Sequence, residues 1–168
     1  MKCAGLRILL GTGIVAAILL VQGAGRVASS PAALRVITSS QIRWSDPPAG
    51  AALGTPSIPP GGSLRYSAMK GDPLKPDIPF TIRLKCANGY KVAPHWHPVE
   101  ENIIVLRGAF AVGAGDVFDP ARMREIPSGG YGFVPAGMHH FAVCKGETEM
   151  IMYGVGPRLN YWVPAHAR

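Results

Sequence analysis

A regular alternation of apolar and polar side chains is the clearest pattern in this chain. It runs through residues 80–86, where the apolar positions are Phe80, Ile82, Leu84 and Cys86. Because successive side chains of a strand point to opposite faces, the pattern predicts a strand with one buried face. The Asn88-Gly89 pair is a turn signal, and we predict that residues 90–97 return as a second strand.

Short apolar segments continue almost to the end of the chain, separated by turns that contain Gly or Pro. They cover residues 103–106, 109–112, 131–134, 139–143, 150–155 and 159–163. Strands of this length and spacing are typical of an antiparallel sandwich or a small barrel. Since no segment after residue 30 has a sustained helical period, we predict an all-β fold with little helix apart from the N-terminal segment.

The N-terminal segment has a different pattern. Lys2 and Arg7 precede an uncharged apolar run at residues 8–21, and small residues follow it. This order is typical of a secretory signal peptide. The run is too short to cross a bilayer core of roughly 30 Å at about 1.5 Å per residue. We therefore expect residues 1–28 to be a signal peptide and the mature protein to be periplasmic or secreted, with no stable membrane anchor.

The rest of the chain divides into an arm and a domain. Residues 29–62 are rich in Pro and Gly, which remove ladder donors and weaken strands, so we expect an extended arm or loop there. Within the arm, Ile42 and Trp44 are compatible with one short strand. Residues 63–168 are predicted to form a single β-domain.

Charge and cysteine content narrow the function classes. The 168 residues carry a net charge of +7, but no run of Lys and Arg alternates with aromatic residues, so no nucleic-acid surface is predicted. Removal of the signal peptide leaves Cys86 and Cys144, in a compartment where disulfides persist. The pair is therefore either a disulfide or two small buried hydrophobic residues.

Histidine and glutamate side chains suggest a metal site. His95 and His97 are two residues apart, so on a strand both point to the same face. Glu101 lies four residues further on and shares that face if the chain stays extended past Pro98. Glu100 has the opposite parity and is the weaker candidate.

A third imidazole is expected from a distant strand. His140 would complete the set from another wall of the barrel, and its neighbour His139 would then point away. Three imidazole nitrogens and one carboxylate oxygen suit one divalent transition metal, namely Fe, Mn, Zn, Ni or Cu. Three imidazoles argue against a calcium or magnesium cage.

The spacing of these residues resembles the two motifs of the cupins. In the first motif, Gly, five residues, His-x-His, three residues, Glu, six residues and Gly are matched by Gly89, His95, His97, Glu101 and Gly108. In the second motif, Gly, five residues, Pro-x-Gly, two residues and His are matched by Gly129, Pro135, Gly137 and His140. Cys144 stands where Asn is usual in the family. The resemblance covers residues 80–153.

The resemblance implies a single jelly-roll β-barrel with the metal inside its mouth. By position, the implied ligands are His95, His97, Glu101 and His140. Cupins also often pair by exchanging edge strands, so the arm is expected either to cover its own barrel or to take part in a homodimer.

Two functions follow as hypotheses. The first is a metal-dependent enzyme that acts on a small organic molecule, with dioxygenase-like, isomerase or lyase chemistry. The alternative is a non-catalytic periplasmic module that binds or senses a metal or a small ligand. No catalytic acid or base is assigned from the sequence.

Overall fold

The computed structural model describes residues 33–53, 56 and 59–164. The predicted signal peptide, residues 1–28, lies outside them. The described residues form nine strands, and no helix among them is long and apolar enough to span a membrane. The strands are β1 (Ala52–Leu53), β2 (Leu64–Lys70), β3 (Pro79–Cys86), β4 (Lys91–Trp96), β5 (Glu101–Ala114), β6 (Met123–Pro127), β7 (Tyr131–Val134), β8 (His140–Val155) and β9 (Asn160–Trp162).

All nine strands belong to one curled sheet. Strand β8 is its centre, because its first residues pair with β4 and β5 and its last residues pair with β3 and β5. Strand β5 also pairs with β6 and β7, and β2 lies at the edge beside β3. Every pairing between these strands is antiparallel except that of β1 with β9. The predicted all-β, antiparallel fold is therefore confirmed.

Two strands are longer than the sequence pattern predicted. The segments at 103–106 and 109–112 form one strand, and the segments at 139–143 and 150–155 form another. Gly108 lies between the first pair with a φ of 70°, and the ladder of β5 with β8 shifts register there. A glycine accepts this left-handed conformation, so the strand bulges and continues instead of ending.

Besides the two-residue β1, strands β2 and β6 were not predicted from the sequence. Each carries two exposed charged side chains, and in β6 no residue is fully buried. Their pairing partners, β3 and β5, supply most of the buried surface. An edge strand with little burial leaves only a weak hydrophobic pattern, which explains why the sequence missed both.

The core lies inside the curl of the sheet. The alternating residues of β3 are buried as predicted, and they pack against apolar residues of β5 and β8: Ile103, Val105, Phe110, Met150 and Met152. Cys86 and Cys144 are also buried in this core and form a disulfide with a Cα–Cα distance of 6.3 Å. Of the two alternatives for the cysteines, the structure contains the covalent one.

Residues 45–53 of the arm lie against their own barrel. Backbone hydrogen bonds of 2.9 and 2.8 Å join Ser45 and Tyr66, and β1 pairs with β9. The short strand expected at Ile42 and Trp44 is absent from the described residues, because a 3₁₀ turn at Ser39–Gln41 leads into a single bridge at Ser45. Exchange of strands between two copies stays a prediction.

Candidate metal centre

Three histidines meet at the junction of β4 and β8. His95 is the register partner of His140, and His97 follows directly after β4. One ring nitrogen from each of the three residues lies within 4.8 Å of the others. All three side chains are buried, with at most 3% of each residue exposed. The structure therefore brings together the three imidazoles that the sequence singled out.

Each imidazole is oriented by a bond to the backbone. In all three, Nδ1 lies 2.8 to 2.9 Å from a carbonyl oxygen: His95 with Ala93, His97 with Leu159, and His140 with Met138. A carbonyl oxygen only accepts, so Nδ1 carries the proton and donates it. Each Nε2 is then an acceptor with its lone pair free, which is the form that binds a metal.

Glu101 reaches the same site by a different path from the one predicted. The chain bends at Pro98 and Val99, so the strand does not continue past Pro98 as the parity argument required. Glu101 instead is the first residue of β5. Its carboxylate is buried, with Oε1 3.7 Å from Nε2 of His97 and Oε2 3.9 Å from Nε2 of His140.

The two residues that parity disfavoured, Glu100 and His139, lie outside the site. Glu100 is exposed. His139 is also exposed, and its Nδ1 lies 2.5 Å from Oδ1 of Asp116 on the surface. The choice of His140 over His139 and of Glu101 over Glu100 therefore agrees with where the structure places these side chains.

An arginine that the sequence did not indicate completes the site. Arg158 lies between β8 and β9, and its Nε donates to Oε1 of Glu101 at 2.7 Å. Its Nη2 bonds the same oxygen, and its Nη1 donates to Oδ1 of Asn160 at 3.1 Å. Oε2 of Glu101 takes no part in these bonds. Arg158 belongs to no recognisable motif, and only the fold brings it to Glu101.

Burial and charge set the protonation of the site. Burial lowers the pKa of His97 to about 4, and the nearby Arg158 cation adds to the effect. Burial also lowers the pKa of His140, and that of His95 to well below its ordinary value. Burial alone would raise the pKa of Glu101, but Arg158 and the two nearer imidazoles outweigh it and lower the pKa to about 2. At neutral pH the imidazoles are therefore neutral and the carboxylate is ionised.

These shifts predict that the metal-free protein loses stability in acid. Between pH 6.5 and about 4 the unfolded chain binds protons at His97 that the folded chain does not, so stability falls as pH falls. By pH 4, the protonation of His97 in the unfolded chain alone lowers the free energy of unfolding by roughly 3 kcal/mol, at about 1.4 kcal/mol per pKa unit. Glu101 acts in the same direction at lower pH, between 4.5 and about 2.

Urea unfolding at pH 7, 5.5 and 4, with a chelator present, measures this effect. A His97→Gln variant is the matched control and should show a shallower dependence on pH, because it cannot take up the proton. Equal stability of the wild type at pH 7 and pH 4 would contradict the assigned burial of neutral imidazoles.

A cavity of about 290 Å³ lies beside the histidines, inside the curl of the sheet. His95, His140, Glu101 and Arg158 line its polar end. Most of its other walls are apolar and come from β2, β3, β5 and β8: Leu64, Ile82, Leu84, Phe110, Met150 and Met152. Residues 47, 48 and 50–52 of the arm close one side. The cavity has the size of a small-molecule site at the lower end of the usual range, about 300 Å³.

A divalent transition metal fits these residues. Among the described residues, Nε2 of His97 is buried with no hydrogen-bond partner. A buried polar atom without a partner is costly, and a metal ion at the convergence of the imidazoles would remove that cost. The set of neutral imidazoles with one carboxylate suits Fe(II), Mn(II), Ni(II), Cu(II) or Zn(II).

Comparison with known proteins gives one family match. Residues 75–158, half of the chain, match the family described as the ChrR cupin-like domain. No curated protein matches the chain.

Several solved structures share the fold. The polyketide cyclase RemF from Streptomyces resistomycificus is 19% identical over 76% of this chain and 82% of its own, with a TM-score of 0.53. An acetylacetone dioxygenase from Acinetobacter johnsonii is 17% identical over 76% and 77%, also at 0.53. KdgF from a Halomonas species is 16% identical over 74% and 96%, at 0.51. At these identities the likeness shows the fold alone.

Proposed function

The chain belongs to the family of ChrR cupin-like domains, and we propose that it is an exported metal-dependent enzyme that acts on a small organic molecule. The observation that carries this proposal is the convergence of three oriented imidazoles, two of which, His95 and His140, line an apolar cavity. Binding sites for small molecules are typically apolar cavities with a few polar groups at one point. The disulfide supports export, since disulfides persist in oxidising compartments.

His95, His97 and His140 would hold the metal through Nε2, with Oε2 of Glu101 as the fourth donor. When bound, a divalent transition metal supplies Lewis acidity and open positions for a substrate oxygen. The backbone carbonyls that accept from Nδ1 keep each ring in its binding orientation. Arg158 holds Oε1, which leaves Oε2 directed to His140.

The cavity walls would exclude water and bind the hydrocarbon part of a substrate. Two names among the similar structures, a polyketide cyclase and an acetylacetone dioxygenase, suggest which compounds to test first. We propose oxygen-dependent cleavage of the substrate as the first reaction to test. Isomerase or lyase chemistry is the second. Both use an ion that polarises an oxygen of the substrate.

Oxygen consumption by the metal-loaded full chain tests the proposal. We expect Fe- or Mn-loaded protein to consume oxygen with acetylacetone or a flavonol, and metal-free protein to consume none. Loss of substrate absorbance without oxygen uptake would indicate isomerase or lyase chemistry. His140→Ala should fall to the rate of the metal-free protein, whereas His139→Ala should keep the wild-type rate.

The same experiment distinguishes the enzyme from the alternative function, a non-catalytic module. A protein that binds about one metal ion per chain, but converts none of these compounds under either assay, supports a non-catalytic module that binds or senses a metal or a small ligand. A protein that binds no transition metal contradicts the enzyme and also a module that binds or senses a metal.

A further inference from the structure

Arg158 adds a positive charge to the polar end of the cavity. Only 13% of its side chain is exposed, and Glu101, Asn160 and the sulfur of Met152 surround the guanidinium. These contacts use Nε, both N–H groups of Nη2 and one N–H group of Nη1. A guanidinium has five N–H donors, so one donor on Nη1 has no partner among the described residues.

The net charge at the polar end of the cavity is the sum of the charges on its side chains and on the bound ion. Among the described residues that line the cavity, Glu101 and Arg158 are the only side chains with a formal charge, and they cancel. Imidazoles that bind a metal are neutral. A divalent ion therefore leaves the site with a net charge of about +2. Without Arg158, the same ligands and ion would leave about +1.

A buried net positive charge favours one class of ligand. Taking charge out of water is costly unless an opposite charge accompanies it, so an anion entering this cavity is stabilised and a cation is repelled. The free Nη1 donor gives such an anion a charge-assisted hydrogen bond.

The remaining walls of the cavity determine the chemical character of the other end of the ligand. Beyond the polar end, the cavity is lined by aliphatic, aromatic and thioether side chains, among them Leu84, Phe110 and Met150. Its volume of about 290 Å³ admits a small molecule only. A ligand that fits has one anionic end and a short hydrocarbon end.

We propose that the metal-loaded cavity binds a small amphipathic organic anion, a carboxylate or an enolate, with its charged oxygens between Arg158 and the two histidines that line the cavity, His95 and His140. Its hydrocarbon part lies among the apolar side chains of β3, β5 and β8. This inference rests on the proposed metal site and specifies the substrate class. It makes Arg158 a specificity-determining residue, although no sequence motif contains it.

Calorimetric titration of the Zn-loaded full chain with three probes tests this proposal. Hexanoate, 1-hexanol and hexylamine share the hydrocarbon part and differ in charge. We expect hexanoate to bind roughly tenfold or more tightly than 1-hexanol, as charge-assisted hydrogen bonds allow, and hexylamine to bind most weakly. In the metal-free protein the difference should shrink. Equal affinity for hexanoate and 1-hexanol in the Zn-loaded protein would overturn the proposal.

Variants separate the contribution of Arg158 from that of the metal. Arg158→Met should reduce the preference for hexanoate by roughly tenfold, with zinc content measured on the same sample. Arg107→Met is the matched control, because Arg107 is exposed and pairs with Glu147 outside the cavity. If Arg158→Met does not fold, Arg158→Lys keeps a positive partner for Glu101 and should lose a smaller part of the preference. An unchanged preference in a folded, zinc-loaded Arg158 variant would overturn the role of Arg158.

Metal content also separates the two proposals. Zinc bound with no preference for hexanoate contradicts only the ligand class. Absence of zinc from the wild type contradicts the proposed function itself, and the ligand class with it.

Discussion

Replacing His140 by alanine is expected to lower the transition-metal content of the purified protein from about one ion per chain to less than about a tenth of that. His140 supplies one of three buried ring nitrogens within 4.8 Å of one another. Without it, two imidazoles remain beside a carboxylate that Arg158 already neutralises in part. Elemental analysis of the purified chain, after removal of loosely bound ions, measures the effect.

His139→Ala is the control for this result. It removes the histidine next in sequence, but that side chain is exposed and contacts Asp116 instead of the site. We expect its metal content to equal that of the wild type. Equal loss in both variants, or a wild type without metal, would show that the three imidazoles are not the binding site.

Removing the disulfide is expected to cost about 4 kcal/mol of unfolding free energy. The disulfide joins residues 58 positions apart, so it removes a long loop from the unfolded ensemble. It also ties β3 to β8 within the core that surrounds the cavity. Chemical denaturation of a Cys86→Ala/Cys144→Ala variant against the wild type measures the loss.

A reducing agent provides the control. It should lower the stability of the wild type, in which both sulfur atoms remain in place, and leave the double variant unchanged. A double variant within about 1 kcal/mol of the wild type would mean that the crosslink contributes little beyond the packing of two small side chains.

The sequence predicted those features that depend on neighbours along the chain. The alternation at residues 80–86 predicted a half-buried strand, and β3 has that burial pattern. Gly108 lies between the predicted segments 103–106 and 109–112, where a turn was expected, and it does adopt a left-handed conformation. Its effect is a bulge within β5 and not an end, because the backbone of β8 continues to pair with β5 on both sides of it.

The sequence predicted the three histidines of the candidate site more directly than it predicted the carboxylate. Spacing alone placed His95 and His97 together, and the second motif added His140. Glu101 was chosen on its match to the first motif and on a parity argument that required an extended chain, whereas the chain bends before β5 begins. Glu101 does lie beside His97 and His140, but it reaches them through the turn at residues 98–99 and not along an extended strand.

By itself, the sequence determined the all-β class, the strand with alternating burial and the identity of the three imidazoles, because periodicity and spacing act over a few residues. The tertiary structure alone decided that Cys86 and Cys144 are joined and that residues 45–53 of the arm lie against their own barrel. It also decided that Arg158 lies on Glu101, a contact between residues 57 positions apart. No local pattern records such a contact, because it exists only when the curled sheet brings the loop after β8 against the start of β5.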